Sequence, residues 1–381
     1  MLHVMVFVFV LICTVSYLSI CIFFITGWYK MPSLVHGNEQ IDYPFISIVI
    51  AARNEEQHII ECLQSLLLQE YRKDSMEIII VDDYSTDATV QLCQTFIAQN
   101  NLISIRLLFN REINKEGKKE AIRYGVAQAH GSFILTTDAD CKVLPLWAKS
   151  MVSYLQENKC KLVFGPVAYY KAKGFFSKFE SLDFLSIIVS GAGATALHAP
   201  FIANAANMAF EKQTYINLNN ALDGKHRASG DDVFLLHKVK RTDKYSIGFL
   251  KSKGALVYTY GTNNMREFFS QRLRWAGKSK SYKDFHAQLF SLIVFLFNFS
   301  ITLCTILLLF NPGFLYYCVS LYILKILIDF PLLYGITKFI GHTRLLRHYI
   351  WVQLLYPFYI TTAGVLSLLI RNFRWKGRRV S

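Results

Sequence analysis

Apolar residues gather at the two ends of the chain. Residues 4–28 run without a formal charge and end at Trp28, Tyr29 and Lys30, and further apolar stretches occupy 287–311, 313–337 and 349–370. A helix rises about 1.5 Å per residue, so about 20 apolar residues cross roughly 30 Å of hydrocarbon. Each stretch is long enough, and the pattern predicts four membrane helices. A cleaved signal peptide would have an apolar core of only about 7–15 residues behind a basic start, so the first stretch reads as an uncleaved anchor. Asn311, Pro312 and Gly313 turn the first two C-terminal stretches into a hairpin. Lys30 then puts the middle of the chain on the cytoplasmic side, and Lys338, Arg344 and Arg347 agree with that. Arg371, Arg374, Lys376, Arg378 and Arg379 would fall outside if the last stretch crosses fully, so that stretch is alternatively re-entrant or interfacial, as Pro357 allows, which leaves two to three C-terminal spans.

Between the apolar ends the period changes. Ile46–Ala51, 77–81, 105–109 and 133–135 are short runs rich in β-branched residues, each predicting a buried strand. Ile59, Ile60, Leu63, Leu66 and Leu67 follow the first at helical spacing, with Asn54 and Gln57 placed as a capping box. Val90, Cys93, Phe96 and Ile97 mark a second helix, and Gly117-Lys118-Lys119-Glu120 opens a third. Strand and helix in alternation predict an α/β domain with a parallel sheet. Glu55, Asp83 and Asp138 then fall just past strand carboxyl ends, the edge where open α/β sheets bind ligands. The expected layout is an anchor over 1–30, the α/β domain over 45–262, an interfacial helix over 263–285, membrane helices over 287–370 and a basic tail over 371–381.

Composition sharpens this picture. The 381 residues are 53% hydrophobic with a net charge of +14. Many basic residues flank the apolar stretches, so anionic lipid is the expected partner of that charge and nucleic acid is not. The cysteines at 13, 21, 62, 93, 141, 160, 304 and 318 include no CxxC pair, which predicts reduced, structural thiols. Lys325 and Asp329 lie four apart inside one apolar stretch and share a helix face, as a structural ion pair or, alternatively, a proton path.

The chemistry sits in acidic turns. Asp83 and Glu55 can accept hydrogen bonds from a base or ribose. Asp138-Ala139-Asp140 ends a strand and offers the oxygen ligands that Mg²⁺ or Mn²⁺ prefers, whereas the plain alternative is a pair of helix caps. Lys118 is either a diphosphate contact or a solvated first-turn residue. Asp231 and Asp232 precede an apolar helix, where they can cap it, and adjacent carboxylates raise each other's proton affinity, which suits one as a general base. Gln271-Arg272-Leu273-Arg274-Trp275 lies in a basic aromatic stretch, either an amphipathic interfacial helix or a guanidinium and indole set for diphosphate and acceptor.

Ala52-Arg53-Asn54-Glu55, Val81 to Asp87, Asp138-Ala139-Asp140, Gly230-Asp231-Asp232 and the Q-x-x-R-W of Gln271 to Trp275 together resemble the membrane-bound family 2 inverting glycosyltransferases, over about residues 45–280. The resemblance implies a GT-A (Rossmann-like) domain with flanking transmembrane helices. It implies that Ala51, Arg53, Glu55, Asp83, Lys118 and Asp138 bind a nucleotide sugar, UDP-linked by expectation, and that Asp138 and Asp140 hold the metal. Asp232, with Asp231 beside it, would be the base, and Asn207, Gln271, Arg274 and Trp275 would meet acceptor and diphosphate. The chain departs from the family where a Gly-Ala-Asn turn becomes Ala205-Ala206-Asn207 and where Glu-Asp becomes Asp231-Asp232. Expected acceptors are a lipid or lipid-linked glycan at the cytoplasmic face of a bacterial inner membrane. A processive polysaccharide synthase and a non-catalytic membrane scaffold are the rival readings.

Overall fold

The computed structural model describes residues 2–34, 42–170, 172–220, 231–279, 282–369, 373–375 and 378–380. In chain order they form α1 (Leu2–Lys30), β1 (Ile46–Ala52), α2 (Ile59–Leu67), β2 (Met76–Asp82), α3 (Thr89–Gln99), β3 (Ser104–Phe109) and α4 (Lys118–Gln128). Then come β4 (Phe133–Thr136), β5 (Lys142–Val143), α5 (Trp147–Glu157), β6 (Leu162–Phe164), β7 (Val167–Tyr169), α6 (Gly174–Ala196), β8 (Met208–Glu211), α7 (Lys212–Asn220) and α8 (Asp231–Thr242). The rest are β9 (Ile247–Phe249), β10 (Val257–Thr259), α9 (Met265–Ser279), α10 (Phe285–Leu308), α11 (Leu315–Phe339), α12 (Tyr349–Leu369) and the paired short strands β11 (Phe373–Trp375) and β12 (Arg378–Val380). The chain divides into two compact units, one built on residues 32–170 and 202–260, the other on 1–31, 171–201 and 261–374.

The first unit is a sheet domain. Its seven strands run in the order β3-β2-β1-β4-β8-β6-β9, with β3, β2, β1 and β4 parallel and β8 antiparallel to β4 and β6. A smaller sheet orders β5-β10-β7. Ile46, Ile48, Val49 and Ile50 of β1 and Ile78, Ile79, Ile80 and Val81 of β2 are all fully buried. That is the uninterrupted apolar run of strands covered on both faces. Each such side chain contributes about 1.5–3 kcal/mol when removed from water. Helix α4 lies close enough on the sheet that a Cβ at Gly125 would come within 2.5 Å of Val49 Cγ1. The four parallel strands thus deliver the turns after β1, β2 and β4 to one edge.

The expected capping box of Asn54 and Gln57 is not formed. Asn54 takes a left-handed backbone (φ 51°), and its side-chain oxygen accepts from Thr86 N at 2.8 Å. Helix α2 starts later, after His58. The reason is competition: Asn54 N donates to Ser85, Glu55 N to Thr89 Oγ1 and Glu56 N to Asp87, so the turn after β1 spends its amides on the turn after β2.

The second unit is a helix bundle. Four of its helices are long and apolar enough to cross a membrane: Val4–Lys30, Phe285–Leu308, Pro312–Phe339 and Thr343–Leu369. Leu309, Phe310 and Tyr316 are 80% or more exposed and Leu11, Ile12 and Leu327 are exposed as well, an apolar outside suited to lipid. Helix α12 runs unbroken through Pro357. Helix α6 lies inside the span 45–262 given to the α/β domain from sequence, yet it packs with α1 and α11 in this bundle. Its glycines explain this. A Cβ on Gly27 of α1 would sit 1.9 Å from Gly193 O, and one on Gly193 would sit 2.2 Å from Phe24 O, so the two backbones nearly touch.

One buried charge of the bundle lies on α11. Lys325 Nζ lies 2.6 Å from Asp329 Oδ2, Tyr17 O–H donates to Asp329 Oδ1 at 2.7 Å, and Lys325 is wholly buried. The pair joins α1 to α11, which is the structural reading of these two residues. All eight cysteines are free and buried, as expected.

Candidate active site

The turns after β1 and β2 form one wall of the site in the sheet domain. Asp83 follows β2 and is 1% exposed. Its Oδ1 accepts from Gly117 N at 2.8 Å and from Asn110 Nδ2 at 3.0 Å. Gly117 sits at φ 103°, a backbone few side chains tolerate, and this aims its N–H at the carboxylate. Arg53 NH1 donates to Asp83 O at 2.7 Å, while Ala51 and Glu55 are half-buried beside it in sequence. Tyr84, like Asn54, has a left-handed backbone (φ 59°). A bulky residue held there is strained, and such strain concentrates where function fixes the chain.

Asp138 and Asp140 follow β4. With Cys141 they place a carboxylate oxygen or sulfur atom each within 4.8 Å of one another. Burial raises the Cys141 thiol well above its ordinary value, and the neighbouring Asp140 and Asp138 charges push the same way. Two of these three groups offer hard carboxylate oxygens. That donor set suits a hard divalent cation rather than a thiophilic one.

Lys118, at the first turn of α4, bonds Asp138 Oδ1 through its ammonium. Burial alone would lower its pKa, but Asp138, then Asp232 and Asp140, more than offset this and raise it. The same three carboxylates therefore act on one cation, which brings together residues some 90 apart in the chain. Asp232 starts α8. Its Oδ1 accepts from Val233 N at 2.8 Å and its Oδ2 from Ala205 N at 3.2 Å, so it caps the helix and also ties it to the loop before β8. The side chain of Asp231, and the whole of Gly230, lie outside the described residues.

Asn207 is a correction. It is fully buried, its Nδ2 donates to Pro166 O at 2.8 Å and Ala255 O at 2.7 Å, and its Oδ1 accepts from Trp147 Nε1 at 2.9 Å. With its donors and acceptor spent inside the core, it sets the path of the loop and does not reach an acceptor. Gln271, Arg274 and Trp275 lie half-buried on α9, in the helix bundle. Sequence reasoning passed over Asn110, whose only signal was its place just past a strand, and Gly117 as the partner of Asp83. It also passed over Glu61, which is bonded to Tyr260 O–H and, at 3.0 Å, to Lys142 Nζ. Those two bonds, Tyr260 first, hold the Glu61 carboxyl below its usual range.

Known proteins with this pattern are glycosyltransferases. Residues 47–212 match glycosyl transferase family 2, and residues 133–370 match glycosyl transferase family group 2, a match that runs through the C-terminal helices. Glycosyltransferase GlyG of Streptococcus pneumoniae is 32% identical over 120 residues, which are 32% of this chain and 38% of that one. The dolichyl-phosphate beta-glucosyltransferase of Dictyostelium discoideum is 33% identical over 118 residues, 29% of this chain and 36% of that one. The chain thus covers less than two fifths of the length of either relative. The structure of the mannosyltransferase PcManGT from Pyrobaculum calidifontis, in complex with GDP-Man and Mn²⁺, superposes over 95% of this chain and 99% of that one with a TM-score of 0.58 at 18% identity. The fold is the GT-A type with flanking apolar helices. With a family match over more than half its length, the chain belongs to glycosyl transferase family group 2.

Proposed function

We propose that the protein is a membrane-bound inverting glycosyltransferase. It moves one sugar from a nucleotide-sugar donor to a lipid or lipid-linked acceptor at the cytoplasmic membrane face. The observation that carries this is the convergence of Asp138, Asp140 and Asp232 on Lys118, which gathers cation ligands, a candidate base and a fixed positive charge in one place.

Asp138 and Asp140 would hold Mg²⁺ or Mn²⁺, which supplies positive charge to the diphosphate as it departs. Lys118 remains protonated at neutral pH and adds to that field. Arg53, Glu55 and the Asp83 turn accept the nucleoside, with Asp83 kept rigid by Asn110 and Gly117. Asp232, held by its two backbone N–H donors, takes the proton of the acceptor hydroxyl as that oxygen attacks the anomeric carbon from the face opposite the leaving nucleotide. One displacement inverts the configuration. Gln271, Arg274 and Trp275 of α9 serve the acceptor and diphosphate. The Dictyostelium relative, named for a dolichyl-phosphate acceptor, favours a lipid phosphate here, and three apolar helices after the catalytic domain favour one addition over polymerisation.

The test is purified full-length protein in detergent, offered UDP-glucose, UDP-N-acetylglucosamine or GDP-mannose with Mn²⁺ and polyprenyl phosphate. Singly glycosylated lipid, lost in excess chelator and in Asp232→Asn, is the expected product. A ladder of long chains would overturn single addition, and full activity of Asp232→Asn would overturn the assigned base.

A further inference from the structure

One side chain on α9 touches both functional neighbours that the motif reading singles out. Arg272, the residue after Gln271, is 4% exposed. Its NH1 donates to Gln271 Oε1 at 2.7 Å, and its guanidinium carbon stands 4.2 Å from the Trp275 ring centre. Its Nε donates to Asp183 Oδ2 at 2.7 Å, an ion pair whose side chains are 3% and 1% exposed. The guanidinium carbon also lies 4.8 Å over the Phe268 ring. Positions 268, 272 and 275 recur at helical spacing of four and three, so they form one stripe along α9. That stripe faces α6, where Asp183 and Phe184 lie, Phe184 with its ring centre 6.1 Å from that of Trp275.

Such a buried charge is not retained for stability alone, because desolvating both partners costs about as much as their attraction returns. What the pair does supply is direction. A guanidinium is a rigid planar fork: one edge bonded to Asp183 fixes where the remaining N–H groups and the flat face point. With Asp183 holding Nε, NH1 is aimed at Gln271 and the face is laid on Trp275. Lysine has the charge but neither the second direction nor the face. Glu180, on α6 one position short of a turn before Asp183, accepts from Thr262 N at 3.1 Å just ahead of α9, so α6 fixes that helix at its approach as well as at its middle. Tyr359 of α12 adds a hydroxyl 3.5 Å from Asp183 Oδ2.

We infer that Arg272 and Asp183 are positioning residues for sugar transfer: the Asp183 carboxylate orients the Arg272 guanidinium, which in turn holds the Gln271 amide and the Trp275 indole in the geometry the acceptor requires. The inference rests on the proposed role of Gln271 and Trp275 in transfer. It assigns a function to Arg272, inside the motif, and to a residue of α6.

Asp183→Asn and Arg272→Lys, with Gln271→Ala and Trp275→Ala alongside, are measured as full-length protein in detergent for three quantities. These are transfer to polyprenyl phosphate, binding of UDP and GDP with Mn²⁺ by calorimetry, and unfolding temperature. The expected result is a kcat lowered by up to about 100-fold in Asp183→Asn and Arg272→Lys, the scale of a misplaced group. Nucleotide Kd and donor KM should stay within about twofold. Adding Trp275→Ala to Asp183→Asn should cost much less than it does alone, since the indole is already released. Wild-type kcat in both conservative variants, or a kcat falling only with the folded fraction, overturns the inference. If Gln271→Ala and Trp275→Ala reduce transfer while the other two do not, the positioning inference fails alone. If those two alanine variants transfer normally, the role of the motif fails and takes the inference with it.

Discussion

Three cation–carboxylate pairs divide the two regions of this molecule. In the sheet domain, Lys118 and Asp138 are 29% and 31% exposed. In the helix bundle, Arg272 and Asp183 are 3% and 1% exposed, and Lys325 and Asp329 are 0% and 14%. Water decides what such pairs can do. A half-exposed carboxylate can exchange its ammonium partner for a metal ion, because solvent screens the intermediate states. A pair sealed among apolar helices cannot separate without leaving a bare charge in a low-dielectric surround. The charge of Lys118 and Asp138 is therefore available to a ligand, whereas the two bundle pairs fix how their side chains point.

The comparison can be broken in order of expected effect. Asp232→Asn should cost transfer about 10²–10⁴-fold, the usual contribution of a positioned base, with unfolding temperature unchanged. A large loss of stability instead would make Asp232 chiefly the α8 cap seen in its bond to Val233 N. Next, Lys325→Met should destabilise the bundle by about 3–5 kcal/mol by stranding Asp329, and adding Asp329→Leu should recover most of that. Lys118→Met should cost less stability than Lys325→Met, since its pair is partly exposed, yet abolish transfer. Equal losses of stability from Lys118→Met and Lys325→Met would refute the distinction.

Smaller effects sharpen it. Gly193→Val should cost at least about 1–3 kcal/mol, because any Cβ there strikes the α1 backbone, and thermal unfolding of the bundle reads this out. Binding of UDP or GDP with Mn²⁺ by the sheet domain should survive. Glu77 gives a pH test. Burial by itself would raise its pKa, but hydrogen bonds from Ser47 and His130, with the Arg106 guanidinium, leave it lowered. A carboxylate with a depressed folded-state pKa adds stability above its unfolded value and loses it as the pH falls. The stabilisation should fade below about pH 4.5. Glu77→Gln should lose about 1–3 kcal/mol at pH 7 and show a flatter stability profile in acid.

Period and composition were enough for the parallel strands, because the runs Ile48 to Ala52 and Ile78 to Val81 are apolar, as strands covered on both faces need to be, while the buried Ser47 and Glu77 bond each other. The four long apolar helices were equally legible, since runs of that length and composition stand out in the chain. Local motifs named Asp83, Asp138, Asp140 and Asp232, as strand ends and a helix start announce themselves within a few residues. Asn207 reads the same in sequence whether it faces an acceptor or the core, and only its bonds to Trp147, Pro166 and Ala255 separate the two.

What the sequence by itself determined was therefore the class of most segments and the candidate residues for chemistry, because these depend on spacing within a few turns of chain. What the tertiary structure alone decided was partnership. That α6 joins the membrane helices follows from the contact of Gly27 with Gly193. That Lys118 feels Asp232, and that Arg272 is aimed by Asp183, follows from residues about 90 or more positions apart being brought within reach. Such long-range meetings are set by how whole helices and strands pack, and no local pattern encodes them.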